Sequence, residues 1–294
     1  MKTGYYPGCS LEGTGKEFDI SLKRVLKDLD VELEEVDDWS CCGASSAHGV
    51  NHVLSLALPA RNLTQAQNQG LTNIMAPCAA CYNRLLSTQS SLMKDKVVKA
   101  EVEDLLEDKI NGNLEIINVI EYFQKIGVDK IIEKKKIDLS WLNVACYYGC
   151  LLVRLGDAGK FDDEEQPTSM EDIVAATGAK PIDWNFKTEC CGAAHSISHT
   201  EIVESLTKKI LDNAMAHDAD VIVLACPMCH SNLDMRQLNI KKHHPDQKEI
   251  PVLYLTELIG MALGIDGEEL GMDKHFINTR QLLDVQQQKK VRKV

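Results

Sequence analysis

The chain of 294 residues carries a formal net charge of −12, with 44% hydrophobic and 26% charged residues. This length allows one large or two ordinary domains with a buried core, while the acidic balance argues against a nucleic-acid partner, because phosphate binding needs a basic face. The sequence contains no apolar run of the roughly 18 to 20 residues that a membrane span needs, and the start MKTGYYPGCS lacks the apolar segment of a secretion signal. We therefore expect a soluble, cytoplasmic protein that binds neither nucleic acid nor membrane.

Short β-rich runs alternate with amphipathic helical stretches along the first half of the chain. The pattern predicts, in order, a strand TGYYP, a helix over about 14–29, a strand VELEEVD, a helix over about 51–69, a strand NIMAP, a helix from about 80 and a strand IINVI. Alternation of strand and helix is typical of parallel sheets with right-handed crossovers. The first half is therefore predicted to be an open α/β unit.

The second half repeats this order. The predicted elements are a strand LNVAC, a helix near 169–177, a strand AKPIDW, a helix near 199–216, a strand VIVLAC, a helix from about 229 and a strand PVLYL. The charged stretch EKKKIDLS separates the two halves. We predict an α/β fold of two pseudo-symmetric, Rossmann-like units with cysteine-rich loops, covering residues 1–137 and 138–294.

The cysteines follow the same duplication. The first half reads Cys, 31 intervening residues, Cys-Cys-Gly, 34 residues and Cys-x-x-Cys, and the second half, counted from Cys150, has intervals of 39 and 33 residues. The flanking segments pair as YYPGC with CYYGC, NIMAPCAAC with VIVLACPMC, and EIINVIEYF with IPVLYLTEL. Cys146 falls opposite Tyr5 and has no counterpart in the first half. An internal repeat that includes the cysteines indicates two equivalent sites.

Several of these cysteines directly follow predicted strands. They are Cys9, Cys78, Cys150 and Cys226. Because ligands of open parallel sheets bind outside the carboxyl ends of the strands, we expect five cysteines of each half to converge on one edge of one sheet.

Three kinds of site could account for the cysteines. In a reducing compartment the 11 cysteines are not expected to be structural disulfides. Tetrahedral zinc uses four ligands, which leaves a fifth cysteine over, and a thioredoxin-like dithiol leaves Cys-Cys-Gly unexplained. Iron–sulfur clusters are held by thiolates, and adjacent cysteines can reach two irons where the backbone turns sharply. The glycine that follows would supply that turn and let a cluster approach the backbone, so a multi-iron cluster fits best.

Two copies of this motif resemble the cysteine-rich CCG domain, and a separate chain with both copies resembles the B subunit of methanogen-type heterodisulfide reductase. The resemblance implies a catalytic oxidoreductase subunit that reduces the coenzyme M–coenzyme B heterodisulfide to free thiols in methanogenesis, at two noncubane [4Fe-4S] clusters with the substrate between them. The implied ligands are Cys9, Cys41, Cys42, Cys78 and Cys81 in the first half and Cys150, Cys190, Cys191, Cys226 and Cys229 in the second. Cys146 stays outside both sets, and zinc in the C-terminal domain is the less favoured alternative.

Electrons must reach such clusters from another protein. The chain has no C-x₂-C-x₂-C-x₃-C-P run, so it carries no ferredoxin-type relay of that kind. The resemblance implies an upstream hydrogenase or formate dehydrogenase, a ferredoxin-like C subunit, and a flavin-containing A subunit. The basic tail QKKVRKV (288–294) either docks such a partner or is a solvated end. Two alternatives stay open: an iron–sulfur subunit of a succinate/fumarate, glycolate or lactate oxidoreductase, and a non-catalytic electron relay.

The implied substrate carries sulfonate, phosphate and carboxylate groups, so cationic donors are expected near the clusters. The candidates beside the motifs are Arg84, Arg154, Lys187 and Arg236. His195 and His230 are candidate proton donors, because imidazole titrates near neutral pH. The residues expected to shape the cluster loops without direct chemistry are Gly43, Gly192, Pro77 and Pro227.

Overall fold

A computed structural model of the chain describes residues 2–44 and 46–291. The last part of the basic tail, residues 292–294, lies outside the described residues. Within the described part, no helix is both long and apolar enough to cross a membrane.

The first unit alternates strands and helices as predicted. Its elements are β1 (Lys2–Tyr5), α1 (Gly8–Glu12), α2 (Lys16–Asp28), β2 (Glu32–Glu35), α3 (Ala47–Val50), α4 (His52–Asn68), β3 (Asn73–Met75), α5 (Ala79–Lys94), α6 (Lys96–Leu106), β4 (Glu115–Ile117), α7 (Val119–Ile126) and α8 (Val128–Lys134). In α2 the residues Phe18, Leu22 and Val25 recur at helical spacing and are fully buried, which explains why this segment packs as an amphipathic helix.

The second unit has the same plan. Its elements are β5 (Asn143–Tyr147), α9 (Ser169–Ala176), β6 (Lys180–Pro181), α10 (Thr200–Ala216), β7 (Val221–Leu224), α11 (Pro227–His243), β8 (Val252–Tyr254), α12 (Leu255–Ala262) and α13 (Arg280–Val291), with short 3₁₀ turns at Gly156–Ala158, Ala193–His195 and Met272–Lys274. Strand β7 is buried along its whole length, as expected of a parallel strand covered on both faces.

Each unit contains a four-stranded parallel sheet, and the two sheets have the same strand order. The orders are β2-β1-β3-β4 and β6-β5-β7-β8. In the central pairs Tyr5 lies opposite Met75, and Tyr147 lies opposite Leu224. The predicted fold of two pseudo-symmetric parallel α/β units is confirmed. The domain boundary at residue 137 stays a prediction; it falls between α8 and β5.

Two features of the secondary structure differ from the prediction. The predicted strand AKPIDW is only two residues long, Lys180–Pro181, because a proline has no N–H to continue the ladder. The helices α1, α3, α6, α7, α8, α12 and α13 were not predicted. Most of them are short or follow a neighbouring element after one or two residues, so their periodicity is hard to separate from that of the neighbour.

The two units exchange helix contacts across their interface. Helix α2 of the first unit packs on α12 of the second, and α9 of the second packs on α7 and α8 of the first. At the α2 contact the Phe18 and Tyr254 rings stack with centroids 4.3 Å apart, and the hydroxyls of Ser21 and Thr256 lie 2.6 Å apart. Most buried apolar side chains of both units form one continuous core, apart from a smaller cluster in the first unit that includes Leu56 and Leu92. The strand ends of the two sheets are therefore held in a fixed relation.

Candidate metal centres

The Cys-x-x-Cys motif of each unit lies where a central strand passes into a long helix. Cys78 is the N-cap residue of α5, and Cys226 is the N-cap residue of α11. Cys81 and Cys229 then lie in the first turns of these helices. The positive end of a helix dipole stabilises a thiolate. Each motif therefore places two sulfur atoms at the positive end of a helix, where they could bind a metal.

The five repeated cysteines of the first unit come together at the carboxyl ends of its strands. The Sγ atoms of Cys42 and Cys81 are 3.3 Å apart, and those of Cys9 and Cys41 are 3.6 Å apart. All of them are free thiols. Interactions with the Cys41 and Cys81 thiols lower the pKa of Cys42 to about 3. Close, unbonded thiols of this kind are donors that can share a metal group.

The second unit repeats this arrangement. Cys191 and Cys229 have their Sγ atoms 3.3 Å apart. Cys150 and Cys190 lie close together, and the Cys150 thiol lowers the pKa of Cys190 to about 6. Cys226 contacts Cys229, so all five cysteines of this unit also converge.

The glycine after each cysteine pair makes the backbone turn that the sequence predicts. Gly43 and Gly192 have φ values of +70° and +79°, a region that favours glycine. Their amide groups point back at the first cysteine of the pair, with Gly43 N 3.5 Å from Cys41 Sγ and Gly192 N 3.3 Å from Cys190 Sγ. Such N–H donors stabilise a thiolate.

A different glycine in each unit keeps the space beside the sulfur atoms clear. Gly8 and Gly149 both have φ of +68°, and a Cβ there would lie 2.9 Å from Cys81 Sγ and 3.2 Å from Cys229 Sγ. A Cβ at Gly43 would instead meet Leu58 and Ala47. We expected a cluster to approach the backbone at Gly43. The glycine that leaves room beside the sulfur atoms is instead Gly8, directly before Cys9, and its counterpart Gly149.

A buried tyrosine braces each cysteine pair. Tyr6 donates its hydroxyl hydrogen to the Ser40 carbonyl oxygen at 2.8 Å, and Tyr147 does the same to the Glu189 carbonyl oxygen at 2.6 Å. The accepting residue directly precedes the cysteine pair in both units. Burial, together with the nearby cysteine thiols, raises the pKa of both tyrosines, so each hydroxyl keeps its proton and remains a donor.

The two cysteine sets meet between the units. Cys78 and Cys226 are both buried, and their thiols lie close enough that each acts on the pKa of the other. Nearby, the side-chain amide of Asn83 donates to the Leu151 carbonyl oxygen at 3.2 Å. The structure thus brings the two sets to one point of the interface.

The donor set of each site fits a multi-iron cluster. Each site supplies five thiols around a position that a glycine keeps free of side-chain atoms. Thiolates are the ligands of iron–sulfur clusters, whereas tetrahedral zinc would use four of the five. Cys146 lies apart, fully buried in β5, where the charged groups acting on its thiol are Glu171 and Lys187.

The four predicted cationic residues lie in different surroundings. Arg84 is half-buried, its charge acts on Cys42, and its guanidinium has no hydrogen bond or ion pair within the described part of the chain. Arg154 is exposed and donates to Thr188 Oγ1 at 3.4 Å. Lys187 is buried and paired with Glu171 at 2.6 Å, and Arg236 donates to the Ser196 carbonyl oxygen at 2.6 Å. Among these four residues, Arg84 is therefore the one whose charge acts on the first cysteine set and is not paired with another described group.

The predicted histidines differ as well. His195 is exposed and its charge acts on Cys190. His230 is enclosed: its Nε2 lies 3.1 Å from the Val252 carbonyl oxygen, its ring stacks on Tyr254, and burial lowers its pKa. A third histidine, His48, follows the first Cys-Cys-Gly and lies near the Arg84 charge. We missed it, although a histidine shortly after each Cys-Cys-Gly was visible in the sequence.

The cysteine sets coincide with a known domain family. The family model described as a cysteine-rich domain, CCG, matches residues 3–86 and 144–234. These ranges hold the ten repeated cysteines, and the predicted resemblance to CCG domains is confirmed.

Whole proteins from a bacterium and an archaeon are also similar to this chain. It is 31% identical to the 8-methylmenaquinol:fumarate reductase membrane anchor subunit of Wolinella succinogenes, over 95% of this chain and 98% of that protein. It is 29% identical to the B subunit of the ferredoxin/F(420)H(2)-dependent CoB-CoM heterodisulfide reductase of Methanosarcina acetivorans, over 96% of both. Among solved structures, a hypothetical protein from Helicobacter pylori matches with a TM-score of 0.74 and 13% identity. That match covers 94% of this chain, which spans about half (51%) of the other, and it shows the fold alone.

Proposed function

This chain belongs to the family of cysteine-rich CCG domains, of which it has two, and we propose that it is the catalytic iron–sulfur subunit of a heterodisulfide reductase. The meeting of the two cysteine sets at Cys78 and Cys226 is the observation that carries this proposal. When a bond between two sulfur atoms is split into two thiols, each sulfur atom needs a site of its own. Two equivalent sites that face one point would provide this. The relatives named as heterodisulfide reductase subunits support an oxidoreductase role within a multi-subunit complex.

Each cysteine set would hold one [4Fe-4S] cluster, of the noncubane type because five thiols rather than four converge. When bound, the clusters supply the electrons that the disulfide needs. With ten thiols committed to metal, no dithiol pair of the two sets is left for ordinary thiol–disulfide exchange. The protein's own groups then bind the substrate and supply protons.

Arg84 is the residue we propose for an anionic group of the substrate. Its half-buried guanidinium lies near the first cysteine set without a carboxylate partner among the described residues, and hydrogen bonds to a charged group are stronger in such surroundings. Arg154, at the rim, is the weaker candidate because it is exposed. Lys187 and Arg236 already bind protein oxygens, so we propose that they hold the loops of the second site in position.

Proton delivery is the proposed role of the exposed histidines. His195 lies beside the second cysteine set, and His48 lies near Arg84 beside the first. Both are open to solvent, so each could be re-protonated after a turnover. His230 is enclosed between Tyr254 and the Val252 carbonyl oxygen and is the less suited of the predicted pair.

We further propose that electrons arrive through a ferredoxin-like and a flavin-containing subunit, with a hydrogenase or formate dehydrogenase upstream. The apolar residues Val50 and Ile197, one beyond each Cys-Cys-Gly loop, are available for contact with another chain. Their side chains are 74% and 98% exposed, so neither contributes to the core of this chain.

A second function is favoured by one comparison. The fumarate reductase subunit from Wolinella succinogenes is 31% identical to this chain over nearly the whole length of both. In this alternative the same two clusters would relay electrons from a quinol-dependent partner and would meet no disulfide. Substrate access separates the two functions, because a relay cluster does not need to contact a thiol.

The test is carried out on anaerobically purified protein that carries its clusters. Electron paramagnetic resonance spectra are recorded after oxidation, with and without coenzyme M thiol, and viologen-driven reduction of the heterodisulfide is assayed in parallel. The proposal predicts a new signal on adding thiol and measurable turnover. An unchanged spectrum together with no turnover would favour the relay.

A further inference from the structure

A second group of potential metal ligands lies inside the protein, apart from the cysteines. His230 and Asp234 are one helical turn apart on α11, and His275 reaches them from the segment that follows α12. Their ligand atoms all lie within 4.8 Å of one another. Glu17 on α2 of the first unit lies beside this group, with its Oε1 3.7 Å from His230 Nδ1. Three potential ligands from two separated segments thus converge inside the protein, and a fourth from the other unit lies next to them.

Both imidazole rings are held so that the same nitrogen is left for a ligand. Nε2 of His230 lies 3.1 Å from the Val252 carbonyl oxygen, and Nε2 of His275 lies 2.8 Å from Glu257 Oε1. Because a carbonyl or carboxylate oxygen only accepts, each Nε2 carries a hydrogen, and Nδ1 is the nitrogen that a metal ion could bind. Metal-binding histidines are oriented by outer acceptors of this kind.

The free nitrogen of His275 has no partner in the described structure. Its Nδ1 is buried without a hydrogen bond, although the side chain is only 1% exposed. Buried polar atoms are rarely left unpaired, and each exception calls for an explanation such as an ion. The His275 ring stands against that of His230, with centroids 4.6 Å apart, so the unpaired nitrogen belongs to the same cluster of ligands.

The surroundings are rich in carboxyl groups. Glu17, Asp234 and Glu257 are all buried. The partners of Glu17 and Glu257 are the imidazoles of His230 and His275, at 3.7 and 2.8 Å, rather than a lysine or an arginine. A divalent ion would satisfy the unpaired nitrogen and neutralise buried carboxylates at once.

We propose that His230, Asp234 and His275, with Glu17 as the fourth ligand, bind a zinc ion that joins the two units and the C-terminal segment. Two imidazole nitrogens and two carboxylate oxygens in a closed, buried site suit zinc. The first unit has no equivalent site, since Tyr82 and Leu86 occupy the positions of His230 and Asp234 after the Cys-x-x-Cys motif. The ion would have a structural role, and the proposal does not depend on heterodisulfide reduction.

The consequence for metal analysis is specific. Zinc bound here uses no cysteine, so it is compatible with two complete iron–sulfur clusters. Zinc bound in the second cysteine set would replace a cluster. The ligand atoms of the zinc, rather than its amount, therefore distinguish the two sites.

The experiment is zinc and iron analysis with zinc X-ray absorption on anaerobically purified protein from zinc-supplied cells. We expect about one zinc per chain with nitrogen and oxygen ligands at about 2.0–2.1 Å and imidazole scattering. His275→Gln should lower the zinc content at least roughly tenfold and leave the iron content unchanged. The matched control is His243→Gln, at the exposed end of α11, the helix that carries His230 and Asp234, and it should keep its zinc.

A second variant covers the case in which His275→Gln does not fold. Glu257→Gln retains an acceptor for the Tyr254 amide but no longer holds His275 with a charge, so zinc affinity should fall roughly 10- to 100-fold in chelator competition. The proposal is overturned by a wild-type protein without zinc, by zinc–sulfur scattering at about 2.3 Å, or by variants that retain zinc like the control.

Discussion

The two units share a sheet order, a bracing tyrosine and five converging cysteines, but they differ three residues after the Cys-x-x-Cys motif. In the second unit this residue is Asn232, which is buried and donates to the Cys191 carbonyl oxygen at 3.0 Å. In the first unit it is Arg84, half-buried and without a hydrogen-bonded partner for its guanidinium in the described residues. One position thus braces a loop in one unit and presents a charge in the other.

This difference shows how a duplicated site can become specialised. The second loop is tied down through a chain of bonds, since the Ser196 hydroxyl donates to Asn232 at 2.9 Å and Arg236 donates to the Ser196 carbonyl oxygen. The first loop lacks an asparagine at this position. The metal ligands and their glycines are retained in both units, and the surrounding positions determine the charge. Two equivalent metal sites match the two sulfur atoms of a disulfide bond. Their unequal charge matches a substrate whose two halves differ and carry negative charge.

The strongest test of the equivalence removes one site. Cys226→Ser combined with Cys229→Ser should abolish the second cluster, so that iron falls from about eight to about four per chain. Heterodisulfide reduction should then fall to the background rate, because both sites are needed for one bond. Iron analysis and the viologen-coupled assay measure this outcome. Full turnover with half the iron would show that a single site suffices.

The next largest effect concerns the unequal charge. Arg84→Gln should raise the KM for the heterodisulfide roughly tenfold or more, as expected for losing ~1.5–3 kcal/mol of hydrogen bonding to a charged group. Its kcat should change little, and Arg84→Lys should restore part of the loss. Steady-state kinetics make the comparison, with Arg280→Gln at an exposed position as the control. An unchanged KM would remove Arg84 from the substrate site.

A smaller effect is expected from the bracing residue. Asn232→Ala leaves the buried Cys191 carbonyl oxygen without its donor, which costs ~1–3 kcal/mol. The second site should then release iron to a chelator faster than the first. The rate of iron loss is compared with that of Asn239→Ala, whose amide bonds Glu204 at 3.1 Å, away from the cysteines. Equal rates in the two variants would contradict the bracing role.

The smallest effect is expected at the cysteine outside both sets. Cys146→Ala should lower the free energy of unfolding by about 1 kcal/mol, because it shortens one fully buried side chain in β5. The iron content should not change. Thermal unfolding and iron analysis check the two statements, and a variant that lost a cluster would show Cys146 to be a ligand.

The sequence predicted the fold because the strand–helix alternation occurs twice and the motifs fall at the strand ends. It also predicted which cysteines converge, since their spacing is nearly the same in both halves. The surroundings of the charged residues could not be predicted in this way. Lys187 pairs with Glu171, and His230 lies between Glu17 and His275, and these contacts depend on how separate segments pack. A cationic residue next to a metal ligand in the sequence can therefore be paired with a carboxylate or be buried in the structure, and the sequence does not show which.

The central claim is that each unit holds one iron–sulfur cluster. Iron and acid-labile sulfide analysis of the anaerobically purified wild-type chain, with zinc X-ray absorption on the same sample, tests it most directly. We predict about eight irons and eight sulfides per chain, and no sulfur among the zinc ligands. About four irons together with a sulfur-bound zinc would contradict the claim, because only one cysteine set would then hold a cluster.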